Sequence, residues 1–206
     1  MNKIEFCFDF GSPTAYIAWN MLRRIADSSD TEIIWHPMLL GGVLKATGNV
    51  SPVSIPAKGA YMGADMQRCA DKYGVDYAFN DNFPINTLVL MRGAVGLLGD
   101  DRFEDYVATV YKAIWVENKN MGDVDVVGQV LVGAGFDAAE FMAMVSDDTV
   151  KEKLKSLTED AVERGVFGAP TMFVGEDMFF GQDRIHFVAE AVGVKISDIA
   201  PDFIKS

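Results

Sequence analysis

Ser12 sits where an apolar strand gives way to a helix, and it heads the run Ser12-Pro13-Thr14-Ala15. Ser12 reads as an N-cap and Pro13 as the first helical residue, where a missing N–H costs nothing. A helix N-terminus carries partial positive charge. A hydroxyl there has two possible roles. It caps the helix, a contribution of about 1 kcal/mol, or it donates to a thiolate held at the helix end. A free thiol ionises near about pH 8.5, and the helix end with one hydroxyl donor lowers that by roughly one to two units. Ser12 is not read as a nucleophile, because the sequence shows no histidine or lysine base beside it. The run contains no cysteine, so dithiol–disulfide exchange is excluded at this position.

Two further clusters carry polar groups in suggestive places. Gly181-Gln182-Asp183-Arg184 lies between a strand and a helix. Asp183 reads there as an N-cap, and Gln182 and Asp183 could equally hold the charged ends of a γ-glutamyl group. Thr47-Gly48-Asn49 follows a short helix as a stop signal. Phe83, Asn86 and Trp115 are candidates for an aromatic substrate pocket, with core packing the competing role for the aromatic residues.

The elements that must position these residues follow from periodicity. Ile4 to Phe10 alternates as a strand. Pro13 to about Ala26 carries Ile17, Met21, Leu22 and Ile25 on one helical face. Thr31 to Trp35 is a second strand. From about Leu39 to Asp147 helical patterns succeed one another: Pro56 to near Tyr73-Gly74, about Asn86 to Gly99, about Asp101 to Trp115 capped by Asp100 or Asp101, one opened by Asp123 that stops at Gly133 to Gly135, and Asp137 to Val145. A helix with Val150, Leu154, Leu157 and Ala161 on one face ends at Arg164-Gly165. Thr171 to Val174 and Met178 to Phe180 are strands about a tight turn, and Asp183 caps a helix to about Val192.

Without the middle, the order is β-α-β, a helix, then β-β-α, which is a thioredoxin-like α/β fold. The expected organisation is a discontinuous thioredoxin-like unit, residues 1–40 and 148–206, with an all-helical insertion, residues 41–147. The insertion would cover the N-terminus of the first helix. In this fold Pro170 opens the strand facing that terminus, so Ala169-Pro170 is expected to be cis. It would then offer the Ala169 backbone to an extended peptide.

Composition narrows the function. With 30 acidic and 18 basic residues the formal charge is −12, which makes nucleic acid and anionic membranes poor partners. Cys7 and Cys69 do not form a disulfide framework, and the two histidines fit no metal spacing. No secretory signal or apolar 18-residue run is present, so a cytoplasmic protein is expected.

Phe8-Asp9-Phe10-Gly11-Ser12-Pro13, Ala46-Thr47-Gly48-Asn49, Phe83-Pro84-Ile85-Asn86-Thr87, Glu163 to Thr171 and Phe180 to Arg184 occur in an order and spacing that resembles the 2-hydroxychromene-2-carboxylate isomerase family. The chain is similar, more distantly, to kappa-class glutathione transferases and DsbA-like oxidoreductases. The resemblance implies glutathione as cofactor and a small aromatic keto acid as substrate, and it admits a homodimer. It implies that Ser12 holds the glutathione sulfur and that Asn49, Ala169, Pro170, Gln182 and Asp183 contact the tripeptide. A kappa-like transferase and a non-catalytic peptide-binding protein are the alternatives.

Overall fold

The apolar alternation at the N-terminus builds the centre of a four-stranded sheet. In the computed structural model, which describes residues 1–200, the sheet order is β2-β1-β3-β4. Strand β1 (Asn2–Phe8) pairs in parallel with β2 (Thr31–Pro37), from Asn2 opposite Thr31 to Phe8 opposite Pro37. The crossover between them is helix α1 (Pro13–Ser28). Strand β3 (Thr171–Val174) runs antiparallel to β1, with Cys7 opposite Thr171, and β4 (Asp177–Phe180) runs antiparallel to β3. This is the thioredoxin-like arrangement the element order implied. Residues 201–206, which the sequence placed in the second thioredoxin-like segment, lie outside the described residues.

Between β2 and β3 come α2 (Leu40–Thr47), a 3-10 turn (Pro52–Ser54), α3 (Pro56–Tyr73), α4 (Leu88–Gly96), α5 (Phe103–Trp115), α6 (Val124–Gly133), α7 (Ala138–Ser146) and α8 (Asp148–Glu163). Helix α8 packs on α2, α4 and α7 and also on β2. Asp123, Asp137 and Asp147 each accept a backbone N–H at the start of α6, α7 and α8. Each thereby pairs a donor that the helix itself cannot satisfy. Ile4, Phe6 and Phe8 on one face of β1 and Ile17, Met21, Leu22 and Ile25 on α1 are fully buried in one continuous core.

Several boundaries differ from the sequence reading. Helix α5 begins at Phe103 with Arg102 at its N-cap, and neither Asp100 nor Asp101 caps it: the Asp100 carboxylate accepts the Arg102 N–H at 2.8 Å, ahead of the helix. Helix α1 runs on to Ser28 and β2 to Pro37, and α4 stops at Gly96, short of Gly99. Strand β1 ends at Phe8, not Phe10, because the chain turns at Asp9: Ser12 donates its N–H to the Asp9 carbonyl, and Phe10 donates its own to the Met91 sulfur. Helix α4 begins at Leu88, not Asn86, because the Asn86 side chain accepts the Leu88 N–H from outside the helix. Asp183 does not cap the last helix. A 3-10 turn (Gln182–Arg184) intervenes, α9 (Ile185–Ala191) starts after it, and the Asp183 carboxylate pairs with Arg184 Nη1 at 2.6 Å instead. Helix α10 (Ile196–Ile199), four residues long, has no counterpart in the sequence reading. Among the described residues no helix is long and apolar enough to cross a membrane.

Candidate active site

Chain closure places Ser12 against a segment more than 150 residues away. Ser12 is 4% exposed and has extended backbone angles before α1, and its Oγ accepts the Ala15 N–H at 3.2 Å. It is therefore an N-cap, but the same oxygen also lies 3.1 Å from the Ala169 carbonyl oxygen and 2.7 Å from Thr14 Oγ1. Thr14 Oγ1 in turn lies 3.0 Å from the Ala169 carbonyl. Two hydroxyl protons thus serve three close oxygens. When Thr14 donates to Ala169, the Ser12 proton is free to turn elsewhere, a use of geometry that a simple cap does not need. The Ala169-Pro170 peptide bond is cis, and so is Phe83-Pro84. The Ala169 N–H takes part in no hydrogen bond among the described residues.

Asp9 supports this corner from behind. It is buried, and its carboxyl accepts the Gly11 N–H at 2.9 Å and the Thr87 hydroxyl at 2.7 Å on Oδ1, and the Leu40 N–H at 2.8 Å on Oδ2. It joins the end of β1, the start of α2 and the start of α4 within one hydrogen-bonded knot. Burial pushes its carboxyl above the usual carboxylate range, against the pull of the Gly11, Thr87 and Leu40 donors. Gly11 leaves little space beside this knot: a Cβ there would stand 3.2 Å from Thr87 Cγ2.

A cleft of ≈ 390 Å³ opens over Ser12, within the range of small-molecule sites. Its polar end holds Ser12, Thr14, Ala169, Gln182 and Asp183. The Gln182 backbone is fixed by the Tyr73 hydroxyl, which donates to its carbonyl at 3.1 Å, and its side-chain amide points to Cys69 Sγ at 3.7 Å. Asn49 reaches the rim from the loop after α2, where Gly48 ends the helix at φ 69°, and its amide donates to the Phe167 carbonyl at 2.9 Å. The far wall comes from α3, whose Gly59, Met62, Gly63 and Met66 recur at one-face helical spacing, and from Phe79 and Phe83, whose ring centroids are 5.6 Å apart. Phe167 and Phe180 meet at the mouth with ring centroids 4.5 Å apart and planes tilted by 45°.

The structure thus gathers Ser12, Asn49, Phe83, Ala169, Gln182 and Asp183 around one cleft, with Pro170 adjoining Ala169. It does not bring Asn86 or Trp115 there. Asn86 is exposed and spends its side chain on Leu88. Trp115 is fully buried and donates its indole N–H to the Phe10 carbonyl at 2.9 Å, because α5 turns that face into the core. It buttresses the turn before Ser12 and does not wall the pocket. Sequence reasoning missed Thr14 and Asp9. The available signals were a second hydroxyl in the first turn of α1 and a carboxylate at the end of an otherwise apolar strand.

Neither cysteine lies in the first turn of α1: Cys7 is on β1 and Cys69 on α3. Burial pushes the Cys7 thiol up to about 12, and Cys69 is likewise raised by burial. Both are free.

Comparison with known proteins agrees with this geometry. A family model described as a DSBA-like thioredoxin domain matches residues 3–193. The 2-hydroxychromene-2-carboxylate isomerase of Pseudomonas sp. (strain C18) is 32% identical over 195 residues, covering 92% of this chain and 90% of that protein. Glutathione S-transferase kappa 1 of Homo sapiens is 25% identical, covering 93% and 91%. A solved selenomethionine 2-hydroxychromene-2-carboxylate isomerase superposes with a TM-score of 0.85 at 31% identity, covering 93% of this chain and 94% of that one. The fold defines a DsbA-like thioredoxin protein. Within that class, the chain belongs to the enzyme family of the 2-hydroxychromene-2-carboxylate isomerases, to which the kappa-class transferases are related.

Proposed function

We propose that this enzyme is a glutathione-dependent isomerase that interconverts the cis and trans forms of an aromatic α,β-unsaturated carbonyl compound. The observation that carries the reading is the Ser12 hydroxyl at the N-terminus of α1, set against the Ala169 carbonyl with Thr14 beside it. Glutathione, when bound, supplies a thiolate that adds reversibly to a conjugated carbon and leaves after bond rotation, so that it is not consumed.

The residues present fit such a group. Ser12 turns its proton from Ala169 toward the sulfur position, and Thr14 keeps the Ala169 carbonyl paired meanwhile. The end of α1 adds its partial positive charge. The unused Ala169 N–H offers a backbone donor to an extended peptide, in the manner of an added strand. Asp183 provides a carboxylate for an ammonium group, and the amides of Gln182 and Asn49 provide donors for a carboxylate. Pro170 fixes the direction of the segment that carries Ala169. Asp9 touches none of these groups and orients Gly11 and Ser12 through their backbone. A cytoplasmic homodimer is part of this reading.

Product analysis at limiting glutathione tests it. Isomer formed in molar excess over the glutathione present, with no conjugate accumulating, is the expected result. A conjugate that grows in step with glutathione loss would make the enzyme a transferase of the kappa type.

A further inference from the structure

We propose that Tyr73 and Cys69 of α3 are positioning residues for glutathione, and that by holding Gln182 they make the cleft select for the γ-glutamyl group. The proposal rests on the glutathione reading above and deepens it, since Gln182 and Asp183 are the residues given to that group.

Gln182 has no long element to hold it. It opens a three-residue 3-10 turn directly after Gly181. It is nonetheless 6% exposed, so its polar groups need partners within the protein. The strand side supplies one anchor, where Gly181 donates its N–H to the Pro170 carbonyl at 3.0 Å. Helix α3 supplies two more. The Tyr73 hydroxyl donates to the Gln182 carbonyl at 3.1 Å, and Gln182 Nε2 donates to Cys69 Sγ at 3.7 Å. Cys69 and Tyr73 stand four residues apart, on one face of the helix. With one amide N–H directed at Cys69, the orientation of the Gln182 amide is set. Its second N–H and its oxygen remain for a ligand in the cleft. Burial pushes the Tyr73 hydroxyl up, so it stays a neutral donor.

Helix α3 is tied in turn to α1. Arg24 of α1 donates to the Tyr73 carbonyl and, at 2.8 Å, to the Gly74 carbonyl, and the Tyr16 hydroxyl of α1 donates to the Asp76 carbonyl at 2.6 Å. Ser12 caps the same α1. The sulfur position at Ser12 and the γ-glutamyl position at Gln182 are therefore held by one frame, and the spacing between them is a property of that frame. A thiol without the γ-glutamyl group uses only one of the two positions.

NMR titration with glutathione and with cysteinylglycine, which is glutathione without its γ-glutamyl residue, tests this. Wild-type protein is expected to bind glutathione roughly tenfold tighter or more, as the loss of a charged partner group implies. Tyr73→Phe removes only the hydroxyl. It is expected to weaken glutathione about fivefold, within the range of one hydrogen bond, and to change the dipeptide less than about twofold. Cys69→Ala leaves the Gln182 backbone untouched and carries the test if Tyr73→Phe does not fold. It is expected to act in the same direction, by about twofold to threefold. A merely structural role would weaken both thiols alike. Equal losses for both thiols, or an unchanged glutathione affinity in the folded variant, overturn the proposal. So does wild-type protein that binds the two thiols equally. Wild-type protein that fails to bind glutathione overturns the reading of the site itself.

Discussion

The hydroxyl oxygen of Ser12 lies 3.1 Å from the carbonyl oxygen of Ala169, across 157 residues of chain. That contact joins the N-terminus of α1 to the loop that opens β3, and the floor of the cleft is built around it. If the Ser12 proton is what stabilises a bound thiolate, Ser12→Ala should raise the thiol pKa of bound glutathione by about one to two units. That is the equivalent of the ≈ 1.5–3 kcal/mol typical of a hydrogen bond to a charged group. Ultraviolet titration of the thiolate in the complex reads it directly. An unchanged titration curve would reduce Ser12 to its capping role.

Thr14 offers a separable test, because its hydroxyl is the alternative donor to Ala169. In Thr14→Val that donor is lost, and the Ser12 proton remains committed to the carbonyl. Glutathione affinity should fall several-fold, within the ≈ 0.5–1.5 kcal/mol net value of one neutral hydrogen bond. The effect should be smaller than that of Ser12→Ala. Calorimetry with glutathione measures it, and a Kd equal to the wild type would show that the two hydroxyls do not share the task.

Asp9 should be a stability determinant as well as a support. Asp9→Asn keeps one acceptor oxygen but aims an NH2 group at the Leu40 N–H, which Oδ2 now accepts at 2.8 Å. Leaving that donor unpaired in a buried site should cost about 1–3 kcal/mol. Urea denaturation would show the loss, and an asparagine variant as stable as the wild type would contradict the role assigned to the knot.

Acid should weaken the fold through the opposite sheet face. Glu5 on β1 receives two bonds from Arg164, at 2.6 and 3.1 Å, and lies 2.8 Å from His36 Nε2. The hydrogen bond from Arg164 holds its carboxyl below the usual range, so its contribution is complete above the unfolded value of about 4.3 and is lost as pH falls through the lower folded value. Burial lowers His36, so below about pH 6.5 the unfolded chain takes up its proton first and stability falls there too. Asp9, raised by burial, acts with the opposite sign. The urea midpoint of the wild type should therefore drop between pH 7 and 5 and again below about 4. Glu5→Gln should flatten the second drop, and a Glu5→Gln profile parallel to the wild type below that point would contradict the assignment.

The sheet and most of the helices were legible because their apolar residues repeat with the period of the element they form. The pairing of Ser12 with Ala169 was legible only through the fold, since nothing local in either segment points to the other. Asp9 escaped notice because it continues the alternation of Glu5 and Cys7. Its inward contacts come from Leu40 and Thr87, which only tertiary structure brings near. Trp115 could have been a pocket wall or a core residue by type, and α5 decides the matter by facing it inward. The face of α3 formed by Gly59, Met62, Gly63 and Met66 was present in the sequence as a periodic stripe. Periodicity alone does not reveal that such a stripe borders a cleft, where most stripes are covered by the core.

The central claim is that glutathione binds with its sulfur at Ser12. A crystal structure of the protein with glutathione, at a concentration that saturates binding in solution, tests it most directly. The account predicts the sulfur within hydrogen-bonding distance of Ser12 Oγ, and the cysteinyl backbone accepting the Ala169 N–H. Glutathione ordered elsewhere, or a cleft empty at that concentration, would contradict it.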